Sequence, residues 1–286
     1  MLPFINITAS RMHYVKNLNQ VLPQDIRALA WAPVSEDFDA RFNCCTRTYK
    51  YFFPLSSLDI EAMQKASDKL LGEHDFRNFC KVDVGNNVNH FVRKIESINI
   101  SACDENGARV TTDKEDQMFE ITICGMAFLW HQVRCMVSVL FLIGLRLESS
   151  EVIDRLLDVE FCPKKPQYSM ASEVPLVLYD CTFDKINWIF ETDQLESTTR
   201  SFRNRWTDAA VRKSLIEKIF KDLQIHKEEE GHCFKEAILP LMTGHRTKNY
   251  RPLLTRPVCD GLERHLEKQA AKRKKLEERR EETPKD

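Results

Sequence analysis

The sequence predicts an α+β fold in which an antiparallel sheet is flanked by helices. Several runs rich in aromatic and β-branched residues alternate with a period of two, as strands do. Two longer apolar segments, at residues 57–71 and 128–147, follow helical spacing instead. Because strands and helices do not alternate regularly, as they do around a parallel sheet, we expect an antiparallel arrangement.

The first half of the chain combines both kinds of element. The predicted elements, in order, are the end of a helix at residues 13–24, a strand at 26–34, an extended segment at 41–42 that continues at 49–53, and a helix at 57–71. Ser57 is the expected N-cap of the second helix, and Gly72 is expected to end it. In the extended segment, Tyr49, Tyr51 and Phe53 fall on one face, because side chains alternate along a strand.

The second half begins with two strands and ends in charged sequence. The predicted elements, in order, are strands at 92–100 and 119–125, helices at 128–147 and 149–157, a strand at 176–183 and a helix at 209–223. A surface loop is predicted at the acidic cluster 227–231. From Glu263 onwards, basic residues interleave with glutamates, which predicts a solvated helix or disorder. The alternative for Lys272–Lys275 is a nucleic-acid or nuclear-import role.

Composition excludes several classes of protein. The 286 residues include 43% hydrophobic residues, which suffices for a sizeable core. The net charge of −1 means that any surface for nucleic acid must be local. The ten cysteines form no Cys-x-x-Cys pair, so we expect reduced thiols in an intracellular protein and no zinc site. We expect neither a signal peptide nor a membrane span, because no apolar run is long enough.

The residues left for chemistry are an aromatic strand at 47–54 and an apolar helix that contains Arg134. The sequence has no glycine-rich phosphate loop, no Gly-x-Ser-x-Gly and no His-Glu-x-x-His. Tyr49 and Tyr51 share one face of the strand, as core residues or as a platform for a nucleobase.

Arg134 poses the central question of the sequence. A guanidinium stays charged in proteins, so a buried one needs an acidic partner, and no acid lies within a helical turn of Arg134. One interpretation is a structural ion pair with an acid such as Asp75 or Glu120. The other is an arginine that keeps a catalytic carboxylate ionised.

Four segments together resemble the TruA family of tRNA pseudouridine synthases. They are, in family order, Arg47-Thr-Tyr-Lys-Tyr51, His74-Asp-Phe-Arg-Asn-Phe79, Ala127-Phe-Leu-Trp-His-Gln-Val-Arg134 and Pro175-Leu-Val-Leu-Tyr-Asp180. The resemblance covers about residues 14–185, and the segment 250–263 is similar to the eukaryotic branch.

The resemblance implies a TruA-like fold that is truncated at its N-terminus. The implied domains are residues 1–46 as a remnant of the N-terminal domain, 47–185 as the catalytic and RNA-binding domain, 186–262 as a branch-specific extension and 263–286 as a charged tail.

The resemblance also implies an activity and its residues. The family isomerises uridine in tRNA, here uridines 38 and 39 of the anticodon stem-loop, after the base is flipped out. Tyr49 would contact the flipped uridine, with Arg47, Phe128 and His131 also in the substrate-binding site. Arg134 would pair with the aspartate nucleophile. The reaction requires neither metal nor cofactor, the partner is the tRNA anticodon stem-loop, and no membrane is involved. Family members are homodimers, and the expected location is the nucleus and cytoplasm.

The family places its aspartate in a Gly-Arg-Thr-Asp motif that this sequence lacks. We therefore expect the chain to be inactive by itself and Arg134 to be without its acid. Either the start comes from a truncated gene model or the product is a shortened isoform. The alternative function is a non-catalytic RNA-binding or interaction module.

Overall fold

The computed structural model describes residues 12–83, 88, 90–103, 117–229, 241–242 and 249–282. The helices are α1 (Tyr14–Val21), α2 (Ile60–Ser67), α3 (Gln132–Gly144), α4 (Glu151–Leu157), α5 (Thr192–Glu229) and α6 (Leu262–Glu282). The strands are β1 (Ala30–Trp31), β2 (Cys44–Pro54), β3 (Gly72–Asp75), β4 (Val92–Ala102), β5 (Met118–Gly125), β6 (Leu176–Phe183) and β7 (Ile189–Phe190).

The chain forms two compact units. One comprises residues 1–43 and 183–234, and the other comprises residues 44–182 and 235–286. The first unit contains α1 and α5 with the two-stranded sheet of β1 and β7. Tyr14 packs on Trp31 with ring centroids 4.7 Å apart, and the Glu191 carboxylate accepts a hydrogen bond from the Val15 amide at 3.2 Å.

The second unit is built on a five-stranded sheet with the order β3-β4-β5-β2-β6. The three pairings β3–β4, β4–β5 and β5–β2 are antiparallel. At the edge, the Phe52 amide donates to the Pro175 carbonyl at 3.2 Å, which joins β6 to β2. The sheet and its helices confirm the predicted α+β class.

The core of this unit lies between the sheet and α3. Tyr51 and Phe53 on β2 are fully buried, and both contact Phe141 of α3, with ring centroids 5.8 and 5.3 Å apart. Burying an aromatic side chain of this kind stabilises a fold by about 1.5–3 kcal/mol. Nearly every residue of α3 is buried, so this helix is fixed firmly against the strand that carries Tyr49.

Several predicted boundaries were wrong for local reasons. The N-cap of α2 is Asp59 rather than Ser57, because the Asp59 carboxylate accepts from the Ala62 amide at 2.7 Å. Gly72 does adopt the left-handed conformation, with φ +91°. Helix α3 begins at Gln132 rather than 128, because His131 has φ +60° and interrupts the helical backbone.

The polar helix α5 is much longer than predicted. It runs from Thr192 to Glu229, so residues 227–229 are helical and the predicted surface loop is wrong there, whereas 230–231 lie outside the described residues. Ion pairs at i,i+4 spacing support it, namely Asp208–Arg212, Lys213–Glu217 and Lys218–Asp222. Within the described part of the chain, no helix is long and apolar enough to cross a membrane.

Candidate nucleic-acid interface

Tyr49 lies at the edge of the core, on the strand face that also carries Tyr51 and Phe53. Those two rings are fully buried, so the core interpretation is correct for them, whereas Tyr49 is only half-buried. The Tyr49 ring meets the Phe128 ring edge-on, with centroids 5.1 Å apart and planes at 85°. Burial raises the pKa of Tyr49, so its hydroxyl remains a donor at neutral pH. This pair forms a partly exposed aromatic surface.

Arg47 is held beside this pair by the turn that follows β5. Its Nη1 donates to the Met126 carbonyl at 2.6 Å, one residue beyond its strand partner Gly125. A Cβ at Gly125 would lie 2.8 Å from the Lys94 carbonyl and 3.2 Å from the Phe128 ring. Glycine therefore allows Phe128 to approach Tyr49 closely.

His131 ends the turn and starts α3 from a left-handed conformation. Its φ of +60° is uncommon outside glycine and costs energy that the surrounding packing must supply. Its ring lies 4.5 Å from that of Trp130. Burial, with contributions from Arg134, Lys81 and Lys165, lowers the pKa of His131, so the imidazole is neutral at neutral pH.

Arg134 has an acidic partner within the chain, contrary to the expectation from the sequence. Its Nη2 lies 2.7 Å from a Glu173 carboxylate oxygen, and its Nε donates to the Ala171 carbonyl at 2.7 Å. The Arg134 side chain is 14% exposed, whereas that of Glu173 is 71% exposed. Helical spacing could not reveal this pair, because the segment that leads into β6 brings Glu173 back to α3.

The two acids that the sequence suggested for Arg134 have other partners. Asp75 accepts from Arg77, with 2.7 Å between the carboxylate and Nη2, and Glu120 binds Lys50 across the sheet. Arg134 therefore does form an ion pair within the chain, but with Glu173 rather than with Asp75 or Glu120. The expectation that no carboxylate of the chain reaches Arg134 was wrong.

The hydroxyl of Tyr51 is a feature that the sequence did not predict. Its oxygen is buried and has no hydrogen-bond partner among the residues that the structure describes. Burial raises the pKa of Tyr51, and Arg134 opposes this rise, which places the hydroxyl in the field of the guanidinium. An unsatisfied buried hydroxyl typically costs about 1–3 kcal/mol. Tyr51 follows Tyr49 by two residues on the same face of β2, and the Arg134 guanidinium acts electrostatically on its hydroxyl.

The structure thus brings the predicted residues together in two groups. Tyr49, Phe128 and Arg47 form one group through ring contact and the turn after β5, and His131 and Arg134 form the other at the start of α3. Sequence reasoning missed Glu173 and also Lys165, although the basic and aromatic run Lys164-Lys-Pro-Gln-Tyr168 was a signal. No group of three or more His, Cys, Asp or Glu residues in the described ranges could hold a metal ion.

Comparisons with known proteins point to one family. The sequence model of the tRNA pseudouridine synthase family matches residues 66–184. The tRNA pseudouridine(38/39) synthase of Bos taurus is 41% identical over 278 residues, which cover 92% of this chain and 58% of the relative. A probable tRNA pseudouridine synthase of Caenorhabditis elegans is 35% identical, covering 95% and 68%. The tRNA pseudouridine synthase A of Archaeoglobus fulgidus is 37% identical, covering 72% and 70%. The chain spans about 58% of the length of the bovine and human relatives.

Proposed function

Because this chain belongs to the tRNA pseudouridine synthase family, we propose that it acts in the isomerisation of uridine to pseudouridine in tRNA. The target positions are 38 and 39 of the anticodon stem-loop, the positions in the names of its mammalian relatives. The observation that carries the proposal is the half-exposed Tyr49 ring, which packs edge-on against Phe128 in the turn that leads into the helix of Arg134.

The aromatic pair suits a nucleobase that has left its stack. Uridine in a stem-loop must be extruded before its glycosidic bond can be reached. An aromatic ring then replaces the lost stacking, which is worth about 1–3 kcal/mol per base. The edge-on contact with Phe128 holds the Tyr49 ring in one orientation, and its protonated hydroxyl can donate to a carbonyl of the base.

Arg134 suits a carboxylate that must remain ionised. In the proposed reaction an aspartate oxygen bonds to C1′ of the ribose while the bond from C1′ to uracil N1 breaks. The base then turns, and its C5 bonds to C1′ while the bond from C1′ to the aspartate breaks. C5 then loses its proton, and N1 gains one. Two N–H groups of Arg134 bind Ala171 and Glu173, and a guanidinium has five. Arg134 therefore keeps donors for a second carboxylate while Glu173 remains bound.

The remaining proposals concern partners and location. We propose the tRNA anticodon stem-loop as substrate, a second copy of the chain as partner, and the nucleus and cytoplasm as location. Apolar side chains exposed on α5, such as Leu215, Ile216 and Ile219, suit packing against another helix.

Release of tritium from C5 tests the function directly, because isomerisation frees that hydrogen. The substrate is a tRNA transcript labelled with 5-[³H]uridine. The chain alone is expected to release none, since it lacks the Gly-Arg-Thr-Asp motif. Joined to a segment from a relative that carries this motif, it is expected to release tritium. Tyr49→Ala and Arg134→Met should each abolish the release, whereas Lys65→Gln, an exposed position on α2, should not.

The alternative, a non-catalytic RNA-binding module, predicts a different result. The joined protein would then bind the tRNA and release no tritium. Release by the chain alone would instead show that another acid, with Glu173 as the first candidate, serves as nucleophile.

A further inference from the structure

A cavity of about 940 Å³ lies in the second unit, beside the predicted site residues. Its walls include the turn before α3, residues 163–170 and the C-terminal segment 258–262. Main-chain hydrogen bonds join the last two walls, because the Gln167 amide donates to the Pro257 carbonyl at 2.8 Å and the Cys259 amide to the Lys165 carbonyl at 2.7 Å. The cavity is therefore bounded by hydrogen-bonded main chain on two sides.

Three lysines of this cavity have no acidic partner among the described residues, whereas Arg77 and Arg134, which also line it, pair with Asp75 and Glu173. Lys81, Lys164 and Lys165 line it, and no carboxylate of the described residues lies within 4.0 Å of their amino groups. The one acid in the described lining, Asp260, is bound by Lys268 at 2.5 Å and by Arg264 at 3.3 Å.

Lys165 is the most enclosed of the three lysines. Its Nζ donates to the Cys80 carbonyl at 3.1 Å and to Cys135 Sγ at 3.0 Å. Burial raises the pKa of the Cys80 thiol to about 12, so this thiol supplies no negative charge at neutral pH. A half-buried ammonium that has only these acceptors among the described residues attracts an anion strongly, because the surrounding dielectric is low.

Two aromatic rings accompany the lysines. Lys165 Nζ lies 4.3 Å from the Tyr168 ring centroid, and Lys81 Nζ lies 5.7 Å from that of Trp130. Trp130 is 52% exposed, so part of the indole surface is open to a ligand. A flat ring next to ammonium groups matches a nucleotide, whose base stacks while its phosphate binds the cations.

We propose that this cavity binds the phosphodiester backbone of a single-stranded RNA segment, through Lys81 and Lys165, with an unpaired base stacked on Trp130. The proposal rests on the proposed function, because it takes the RNA to be the substrate. Trp130 follows Phe128 by two residues in the same turn, so the bound nucleotide neighbours the uridine at Tyr49. The cavity thereby holds the RNA strand in a fixed position relative to the extruded uridine.

The test is binding of a fluorescently labelled anticodon stem-loop RNA to the 286-residue chain, measured by anisotropy at several salt concentrations. Lys81→Gln and Lys165→Gln should each weaken binding about three- to tenfold, as expected for one charge-assisted contact. Each should also reduce the slope of log K against log salt by about 0.7, the value for one single-strand phosphate contact. The control Lys65→Gln removes an equal charge from α2, outside the cavity, and should change neither quantity.

Tryptophan emission tests the stacking. Of the 4 tryptophans, only Trp130 should be quenched by RNA, so Trp130→Phe should remove the quenching and largely retain the fold and affinity. Circular dichroism verifies that each variant is folded. If Lys165→Gln fails to fold, Lys81→Gln and Trp130→Phe still decide the matter.

Several results would overturn the proposal. They are the absence of RNA binding by the wild-type chain, unchanged affinity and slope in the lysine variants, and displacement of the RNA by polyglutamate at equal charge, which would indicate a site for acidic peptides. Failure of the isomerase proposal is distinguishable from failure of this one. In that case the joined protein would release no tritium, while the 286-residue chain would still bind the RNA through the lysines.

Discussion

Replacing Arg134 by methionine should destabilise the chain, although the sequence alone suggested otherwise. Because the sequence shows no acid near Arg134, it predicts that methionine removes an uncompensated buried charge without lowering the free energy of unfolding. In the structure, Arg134 Nε donates to the carbonyl of Ala171, a residue that is 1% exposed. Losing a hydrogen bond from a charged donor and leaving that carbonyl unsatisfied costs about 1.5–3 kcal/mol. The contact with Glu173 adds about 0–1 kcal/mol, because Glu173 is 71% exposed and solvent screens the pair.

Methionine recovers part of this loss by burying its apolar side chain, so we expect a net destabilisation of about 1–3 kcal/mol. The measurement is urea denaturation followed by circular dichroism at 222 nm and neutral pH, a wavelength that reports the helices. Glu173→Gln is the matched control, since it removes only the screened ion pair and keeps the hydrogen bond to Ala171. It should cost less than about 1 kcal/mol.

An Arg134→Met variant as stable as the wild type, or more stable, would refute this reasoning. It would show that the guanidinium is uncompensated despite its contacts. If Glu173→Gln lowered the free energy of unfolding as much as Arg134→Met does, the ion pair, rather than the hydrogen bond to Ala171, would be the contact that stabilises the fold.

Three other substitutions each test a single contact. Tyr51→Phe removes a buried hydroxyl that has no partner among the described residues and should raise the free energy of unfolding by about 1 kcal/mol. A lower free energy of unfolding in urea would show that the hydroxyl is satisfied. Asp59→Ala should cost about 1 kcal/mol at pH 7, because Asp59 caps α2. The Ala62 amide and Arg146 lower the pKa of Asp59, so this cost should persist above its ordinary value of 3.8 and vanish as the pH falls below it; a cost that is constant down to pH 2 would contradict the assignment. Gly125→Ala should cost about 1–3 kcal/mol in the same assay, because its Cβ meets the Lys94 carbonyl. Gly261→Ala, whose Cβ would lie 3.5 Å from Lys164 Cε, is the control for steric contact and should cost less than Gly125→Ala.

What the sequence could predict depended on whether the deciding contact was local. The bounds of β6 were predicted correctly, because a run rich in apolar and aromatic residues is a property of consecutive residues. The start of α3 was missed, since the left-handed backbone at His131 leaves no trace in composition. Glu173 was missed because it lies 39 positions from Arg134, and only the return of the chain along β6 brings the two together.

The same distinction between local patterns and contacts of distant segments applies to the site. The motifs identified Tyr49, Arg47, Phe128, His131 and Arg134 as a set, and the structure places them in two adjoining groups. Their surroundings were beyond reach of the sequence. The unsatisfied hydroxyl of Tyr51 and the lysines around Trp130 depend on burial and on the packing of distant segments, which no spacing rule expresses.

The position of β6 has a consequence for handling the protein. It is the outermost strand of its sheet, all eight of its residues are at least partly exposed, and Asp180 is its single charge. In the described part of the chain, no strand pairs with its outer side. Such an edge, with Val177, Leu178 and Tyr179 exposed, is a template for further strands. Concentrated solutions should therefore deposit β-rich aggregates with time. A lysine in place of Val177 should delay that deposition by repelling an incoming strand.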